Sequence, residues 1–135
     1  MTKLDMSLMY YTFMLDDELS WYCVLVTPFG KFCHLQVPMG MMQSLDWAQG
    51  AIKEVLKPLL HHNIRVYIDD VSCFTAAIKP EPWTAHLQLH DQVLNFLKAN
   101  KFSIILKKCA LAVQETSWLG YWVTPNDIKP GKAEI

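Results

Sequence analysis

The chain has 135 residues, of which 52% are hydrophobic and 19% are charged, a composition that predicts one globular domain and excludes a disordered chain. Its net charge of −1 lacks the basic excess that a self-sufficient nucleic-acid-binding domain normally carries. No apolar run reaches the roughly 20 residues of a membrane span, and the 4 cysteines form no C-x-x-C pair, which argues against a zinc ribbon and favours reduced thiols in an intracellular protein.

The amino-terminal part predicts a strand followed by a hairpin. Residues 1–15 are almost wholly apolar and are typical of an opening strand that enters the core, and the acidic residues 16–18 predict a solvated turn. Residues 21–27 and 32–37 are rich in β-branched and aromatic residues. Because the turn-forming residues 28–31 separate them, these two runs predict a β-hairpin.

A helix and a second hairpin are predicted in the middle of the chain. Ser44 is placed as the N-cap of a helix whose apolar residues recur at helical spacing. The predicted apolar face consists of Leu45, Ala48, Ile52, Val55, Leu56 and Leu59. Residues 64–68 and 71–74 are short strand-like runs separated only by Asp69 and Asp70, so they predict a hairpin with two carboxylates at its tip.

The last third of the chain predicts one more helix and further strands. A helix is expected over residues 83–99, and strands are expected over 102–106 and 118–123. The apolar stripe of that helix is predicted to contain Leu87, Val93, Leu94 and Leu97. The order strand, hairpin, helix, hairpin, helix, strands indicates an α+β fold with helices on one face of an antiparallel sheet.

Two histidines of the second predicted helix, His86 and His90, are four residues apart, a spacing that can bind a metal ion. No cysteine or carboxylate accompanies them at a matching distance in the sequence. The ligand count therefore disfavours a zinc site, and His86 is expected to cap or pack the helix.

Three carboxylates are candidates for chemistry. An Asp-Asp pair in a turn normally points into water, but Asp69 and Asp70 are flanked by apolar strands, and Asp5 is a lone carboxylate in the apolar opening strand. Carboxylates that converge from two strands suit a pair of Mg²⁺ ions about 3.5–4 Å apart, which is the arrangement used for phosphoryl transfer.

The sequence Tyr67-Ile68-Asp69-Asp70 resembles the tyrosine–any–Asp–Asp signature of reverse transcriptases. Further motifs resemble, in the same order, those of gypsy-type LTR retrotransposons: Thr2-Lys3-Leu4-Asp5-Met6, Val26-Thr27-Pro28-Phe29-Gly30, Leu35-Gln36-Val37-Pro38-Met39-Gly40, Leu106-Lys107-Lys108-Cys109 and Trp118-Leu119-Gly120-Tyr121. The resemblance implies a single reverse-transcriptase palm over residues 1–135, with part of the fingers and a ferredoxin-like core. The N-terminal fingers, thumb, connection and RNase H are expected to be absent.

The resemblance also implies metal ligands. Asp5, Asp69 and Asp70 would be catalytic carboxylates and would bind two Mg²⁺ ions together with the backbone carbonyl of Met6; Mn²⁺ is a possible substitute. Lys108 resembles the lysine that protonates the leaving pyrophosphate.

Contacts to the nucleotide and the primer are implied in the same way. Tyr10, Met39, Gly40 and Tyr67 would contact the incoming dNTP, with Tyr10 as a steric gate against a ribose 2′-hydroxyl. The primer 3′ end would be placed by a primer grip consisting of Trp118, Leu119, Gly120 and Tyr121.

The implied function is transfer of a nucleotide from a dNTP to a primer 3′-OH on an RNA or DNA template. The partners would be the template–primer and the missing regions of a parent polyprotein, with no membrane, in cytoplasmic virus-like particles. The isolated chain is expected to be inactive or weakly active and to expose an apolar surface. The alternatives are a non-catalytic remnant of a retroelement that acts as a structural or binding module, and another two-metal palm enzyme such as an RNA-dependent RNA polymerase.

Overall fold

The computed structural model describes residues 1–60, 63–75 and 82–131 of the chain. Strands and helices follow one another as β1 (Thr2–Ser7), α1 (Asp17–Tyr22), β2 (Val24–Thr27), β3 (Gly30–Cys33), α2 (Ser44–Val55), β4 (Ile64–Tyr67), β5 (Asp70–Cys73), α3 (Pro82–Ala99), β6 (Ser103–Ile104), β7 (Thr116–Trp118), β8 (Tyr121–Val123) and β9 (Ile128–Pro130). None of the helices in these ranges is both long and apolar enough to cross a membrane.

The main sheet has the strand order β4-β5-β1-β6, and each neighbouring pair is antiparallel. Side chains of β1 alternate between buried and half-buried, because successive residues of a strand point to opposite faces of the sheet. Thr2, Leu4 and Met6 face the core, where α2 packs near β4 and α3 packs near β5. The core is therefore a layer between one sheet face and two helices, consisting of Leu4, Met6, Met9, Ala48, Ile52, Leu56, Leu59, Ile64, Val71, Cys73, Val93, Leu97 and Phe102.

Two smaller sheets lie outside this layer. Strands β2 and β3 form a hairpin, and β7, β8 and β9 form a three-stranded antiparallel sheet. The β2–β3 hairpin and the preceding helix α1 carry large apolar side chains in solvent, among them Trp21, Tyr22, Val26 and Phe29. The expected exposed apolar surface is confirmed.

The α+β class, the two predicted hairpins and the two predicted helices are confirmed. The predicted turn at residues 16–18 is wrong, because Asp16 is the N-cap of α1 and its Oδ1 accepts a hydrogen bond of 2.7 Å from the backbone N–H of Leu19. Trp21 and Tyr22 consequently belong to a helix, and the strand predicted from residue 21 begins at Val24.

Details of the predicted helices also need correction. Gln43, not Ser44, is the N-cap of α2, and the Ser44 hydroxyl donates a hydrogen bond of 2.5 Å back to the carbonyl of Met41. Leu45 and Leu87 are each 45% exposed and do not belong to the buried faces predicted for them. In both helices the buried stripe is narrower than the apolar pattern indicated.

Three predicted strands are shorter than expected. The strand predicted over 32–37 ends at Cys33, and the one predicted over 102–106 contains only Ser103 and Ile104. Residues 118–123 are not one strand, because the chain reverses at Leu119 and Gly120, which have φ values of 49° and 79°. Positive φ at both central positions is typical of a tight hairpin turn.

A buried histidine links three parts of the fold. The Nε2 atom of His86 lies 2.8 Å from the Thr2 hydroxyl oxygen, and its Nδ1 atom lies 2.6 Å from the Thr75 hydroxyl oxygen. The same Thr2 oxygen accepts a hydrogen bond from the backbone N–H of Ala112. Burial, followed by the positive amino terminus and His90, lowers the pKa of His86 below its ordinary value of 6.5. The expectation that His86 packs the helix is confirmed.

Replacing His86→Phe is expected to lower the free energy of unfolding by about 1–3 kcal/mol, because two hydroxyl partners lose their hydrogen bonds. The wild type should also lose stability as the pH falls below 6.5, because the unfolded state takes up a proton that folded His86 resists. Denaturant titrations at about pH 8 and about pH 5.5 test both points. The matched control is His34→Phe, because in the described ranges only its backbone atoms make hydrogen bonds, and it is not among the groups that shift the pKa of His86. A variant as stable as the wild type, or one with the same pH dependence, would contradict this role of His86.

Candidate active site

Three adjacent strands bring predicted site residues into one row. In the β1–β5 ladder Asp5 is directly opposite Asp70, and in the β4–β5 ladder Asp70 is directly opposite Tyr67. Residues directly opposite each other in antiparallel strands have side chains on the same face. Because Leu4 and Val71 fill the core face, Asp5 and Asp70 lie on the opposite face of the main sheet. The prediction that Asp5 lies near the Asp69-Asp70 hairpin is confirmed.

One lysine lies beside each carboxylate of the Asp5–Asp70 pair. The Nζ atom of Lys3 is 3.5 Å from Oδ1 of Asp70, and the Nζ atom of Lys108 is 3.8 Å from Oδ1 of Asp5. Strand alternation places Lys3 on the same face as Asp5, and the turn that follows β6 brings Lys108 to this face. The site is therefore a mixed cluster of acids and lysines.

Two residues of the site, Asp70 and Tyr10, have raised pKa values. Burial raises the pKa of Asp70; Lys3 opposes this shift, and the neighbouring charges of Asp69 and Asp5 add to it. Burial, and then the charge of Asp69, raise the pKa of Tyr10 above its ordinary value of 10.0. The predicted gate residue Tyr10 therefore lies close enough to Asp69 to interact with its charge.

The turn between β4 and β5 has an unusual backbone. Ile68 has φ 52°, a left-handed conformation that is rare for a β-branched residue. Gln49 of α2 contacts the backbone on the amino-terminal side of this residue: its Nε2 donates to the carbonyl of Val66 at 3.1 Å, and its Oε1 accepts from the N–H of Ile68. On the other side, the carbonyl of Asp69 accepts a hydrogen bond of 2.8 Å from the N–H of Met6. The turn is thus bound to helix α2 and to strand β1.

The residues present suit a divalent cation by their chemistry, because carboxylate and carbonyl oxygens are the ligands that Mg²⁺ prefers. Asp70 is a half-buried acid beside two other acids, a site where added positive charge is favourable. As placed in the described ranges, however, no three His, Cys, Asp or Glu side chains are arranged to hold one metal ion. The ligand set Asp5, Met6, Asp69 and Asp70 stays a prediction.

Other predicted site residues lie in separate segments. Met39 is exposed, and Gly40 has φ 90° in the turn before α2, a conformation that favours glycine. The primer-grip residues Trp118, Leu119, Gly120 and Tyr121 form the β7–β8 hairpin of the three-stranded sheet. No hydrogen bond or ion pair of the described residues joins these two segments to the three carboxylates, so their contacts with nucleotide and primer stay predictions.

The sequence patterns did not reveal the parts that three residues, Lys3, Gln49 and Ile68, play in the site. Lys3 could have been found, because strand alternation puts residues 3 and 5 on one face. Gln49 and Ile68 carried no signal, since the φ value of Ile68 and the reach of Gln49 across to the turn depend on how α2 packs on the sheet.

Comparison with known proteins gives consistent results. A family model described as "Reverse transcriptase (RNA-dependent DNA polymerase)" matches residues 1–123. The chain is 27% identical over 134 residues to the retrovirus-related Pol polyprotein from transposon 297 of Drosophila melanogaster, covering 99% of the chain and 12% of the polyprotein. It is 24% identical over 123 residues to the Pro-Pol polyprotein of simian foamy virus type 3 (strain LK3), covering 91% of the chain and 10% of that polyprotein.

Solved structures show the same fold. The foamy viral protease-reverse transcriptase in complex with an RNA/DNA hybrid superposes with a TM-score of 0.86 at 21% identity, covering 97% of this chain and 17% of that chain. The same viral protein in complex with double-stranded DNA gives a TM-score of 0.85, also at 21% identity, covering 97% of this chain and 26% of that chain. The palm fold expected from the motifs is confirmed.

Replacing Asp70→Asn is expected to stabilise the chain by about 1 kcal/mol and to raise the melting temperature by about 3–5 °C, because a half-buried negative charge beside two others is removed. Calorimetry in metal-free buffer measures the shift. Asp91→Asn, on the exposed face of α3, is the matched control and should change stability by less than about 0.5 kcal/mol. A lower melting temperature for Asp70→Asn would show that the ion pair with Lys3 outweighs the repulsion.

Proposed function

Because the chain belongs to the reverse transcriptase (RNA-dependent DNA polymerase) family, we propose that it forms the catalytic palm of such a polymerase. In this role it joins the nucleotide of a dNTP to the 3′-OH of a primer on an RNA or DNA template. The observation that carries the proposal is the strand register that sets Asp5 opposite Asp70, with Asp69 in the adjoining turn.

Asp5, Asp69 and Asp70, with the backbone carbonyl of Met6, would hold two Mg²⁺ ions. Ions held there would supply the positive charge that favours loss of a proton from an attacking hydroxyl and that offsets the charge of a leaving pyrophosphate. Support comes from the oxygen chemistry of these ligands and from the half-buried position of Asp70 among other acids. The protein contributes rigid placement, since β1 is hydrogen-bonded to β5 on one side and to β6 on the other.

Two further side chains have roles of their own in the proposal. The Nζ atom of Lys108 lies 3.8 Å from Oδ1 of Asp5, and its exposed side chain would turn towards a leaving pyrophosphate and donate a proton to it. Tyr10 packs against the core at the edge of the site near Asp69, where its ring would exclude a ribose 2′-hydroxyl.

The other contacts to substrate would come from elsewhere in a longer protein. The chain spans 12% of the length of the transposon 297 polyprotein and has a net charge of −1. We therefore propose that fingers, thumb and RNase H regions supply most cations that grip the phosphates, and that the assembly acts in cytoplasmic virus-like particles.

A non-catalytic remnant of a retroelement is the second candidate. The observation that favours it is that Lys3 and Lys108 already pair with two of the carboxylates, and that no three-ligand metal group is preformed in the described part of the chain. The match to the reverse transcriptase family model favours a DNA polymerase over an RNA-dependent RNA polymerase.

In a longer polymerase that contains this chain, Asp5→Asn and Asp69→Asn are each expected to reduce primer extension at least about 100-fold. The reason is that each substitution removes a carboxylate from the proposed Mg²⁺ ligands. The assay is dTTP incorporation on an RNA template, with Asp91→Asn as the exposed control. The isolated 135-residue chain should extend a primer inefficiently. Undiminished extension by Asp5→Asn would remove the catalytic assignment, and an inactive parent polymerase would favour the remnant.

Tyr10→Ala is expected to raise the use of rNTP relative to dNTP by about 10- to 100-fold, because space opens for a 2′-hydroxyl. The measurement compares kcat/KM for the two nucleotides in the same polymerase. Tyr10→Phe keeps the ring and should keep the selectivity. Equal discrimination by the Ala and Phe variants would show that Tyr10 is only a core residue.

A further inference from the structure

The turn that carries Asp69 is held in a conformation that its own sequence does not favour. Ile68 has φ 52°, and a β-branched side chain in the left-handed region is a rare and costly state. Such a state persists only when surrounding groups stabilise it. Position 68 itself is occupied by none of glycine, asparagine and aspartate, the residues that tolerate this region.

Gln49 supplies two contacts of the kind the turn needs. Its amide nitrogen donates to the carbonyl of Val66 at 3.1 Å, and its amide oxygen accepts from the N–H of Ile68. A single planar amide therefore bridges the last part of β4 and the first residue of the turn. A side chain that merely packed against the sheet would not need both polar atoms.

The position of Gln49 is itself fixed. Its neighbour on α2, Ala48, is completely buried, and so is Ile52 one turn later. These residues anchor the helix to the core, and Gln49 is held at the edge of that contact, half-buried and pointing to the hairpin. The helix thus places the amide with little freedom, which reduces the entropy lost in forming both hydrogen bonds.

We propose that Gln49 is a positioning residue that holds the left-handed turn at Ile68 and thereby fixes Asp69 in the turn next to Asp70, which lies opposite Asp5. The carbonyl of Asp69, bonded to the N–H of Met6 at 2.8 Å, transmits this placement to β1. The two hydrogen bonds from Gln49 to Val66 and Ile68 are called the clamp below. The clamp itself does not depend on the proposed polymerase activity, but its functional importance rests on that activity.

Gln49→Met tests the clamp, because methionine keeps the length and flexibility of the side chain but removes both hydrogen bonds. Amide hydrogen exchange of the 135-residue chain, followed by NMR, should show the Ile68 N–H exchanging about tenfold faster in the variant. Gln92→Met, at an exposed position of α3, is the matched control and should leave this exchange rate unchanged. An unchanged Ile68 rate in Gln49→Met would overturn the proposal.

A second variant separates a clamp from ordinary packing. Ile68→Gly removes the penalty for positive φ, so the turn needs less support. Gln49→Met should accelerate amide exchange in β4 and β5 in both backgrounds. The acceleration should be several-fold smaller in the Ile68→Gly background than in the chain that has Ile68. An equal acceleration in both backgrounds means that Gln49 acts only through packing, and the proposal fails.

Mn²⁺ titration of the same samples distinguishes this inference from the proposed function. Paramagnetic broadening near Asp5, Asp69 and Asp70 in the wild type supports the metal site, and Gln49→Met should weaken Mn²⁺ binding about 10-fold or more. Absence of broadening in the wild type would count against the proposed function, while the exchange rate of Ile68 would still decide whether the clamp exists. Unchanged Mn²⁺ affinity in a Gln49→Met chain with a loosened turn would overturn the positioning role.

Discussion

The antiparallel pairing of β1 with β5 is the constraint on which the rest of the structure depends. It sets two carboxylates, Asp5 and Asp70, directly opposite each other. Two charges about 5 Å apart at an effective dielectric constant of about 20 repel by about 3 kcal/mol. On the other face of these strands and of the neighbouring β4, Leu4, Val71 and Ile64 are completely buried, and each contributes about 1.5–3 kcal/mol. The free energy gained by burying the apolar face therefore exceeds the cost of the repulsion. The sheet can keep the two carboxylates opposite each other on its polar face.

Backbone strain is concentrated near the segments assigned to chemistry. Among the described residues, the large apolar side chains with positive φ belong to Leu8, Ile68 and Leu119. Leu8 follows the strand of Asp5, Ile68 precedes Asp69, and Leu119 lies in the hairpin that resembles a primer grip. Apolar residues in this conformation need support from their surroundings, which is the usual cost of placing functional backbone accurately. For Ile68 that support is visible as hydrogen bonds from Gln49.

Local patterns were enough to predict the hairpins and helices α2 and α3, because strand period, helical period and turn residues act over short distances. The approach of Asp5 to Asp70 joins distant parts of the chain, and the family resemblance, not periodicity, carried that prediction. The local patterns failed where longer-range packing decides the outcome. Leu45 and Leu87 follow the helical period but remain exposed, because the sheet covers only a narrow stripe of each helix. Helix α1 has six residues, which is too short to show a period, and its signal was the single cap Asp16. The family resemblance supplied roles, such as those of Tyr10 and Lys108, that no periodicity contains.

Two lysines offset part of the negative charge of the carboxylates in the site. They are not equivalent. The side chain of Lys3 is 19% exposed and lies on the central strand beside Asp70, so it is held in place by the sheet. The side chain of Lys108 is 63% exposed and follows a two-residue strand at the sheet edge, so its contact with Asp5 is easily exchanged for another anion. Under the proposed function, Lys3 would keep Asp70 partly neutralised throughout, whereas Lys108 would leave Asp5 in order to donate a proton to a leaving pyrophosphate.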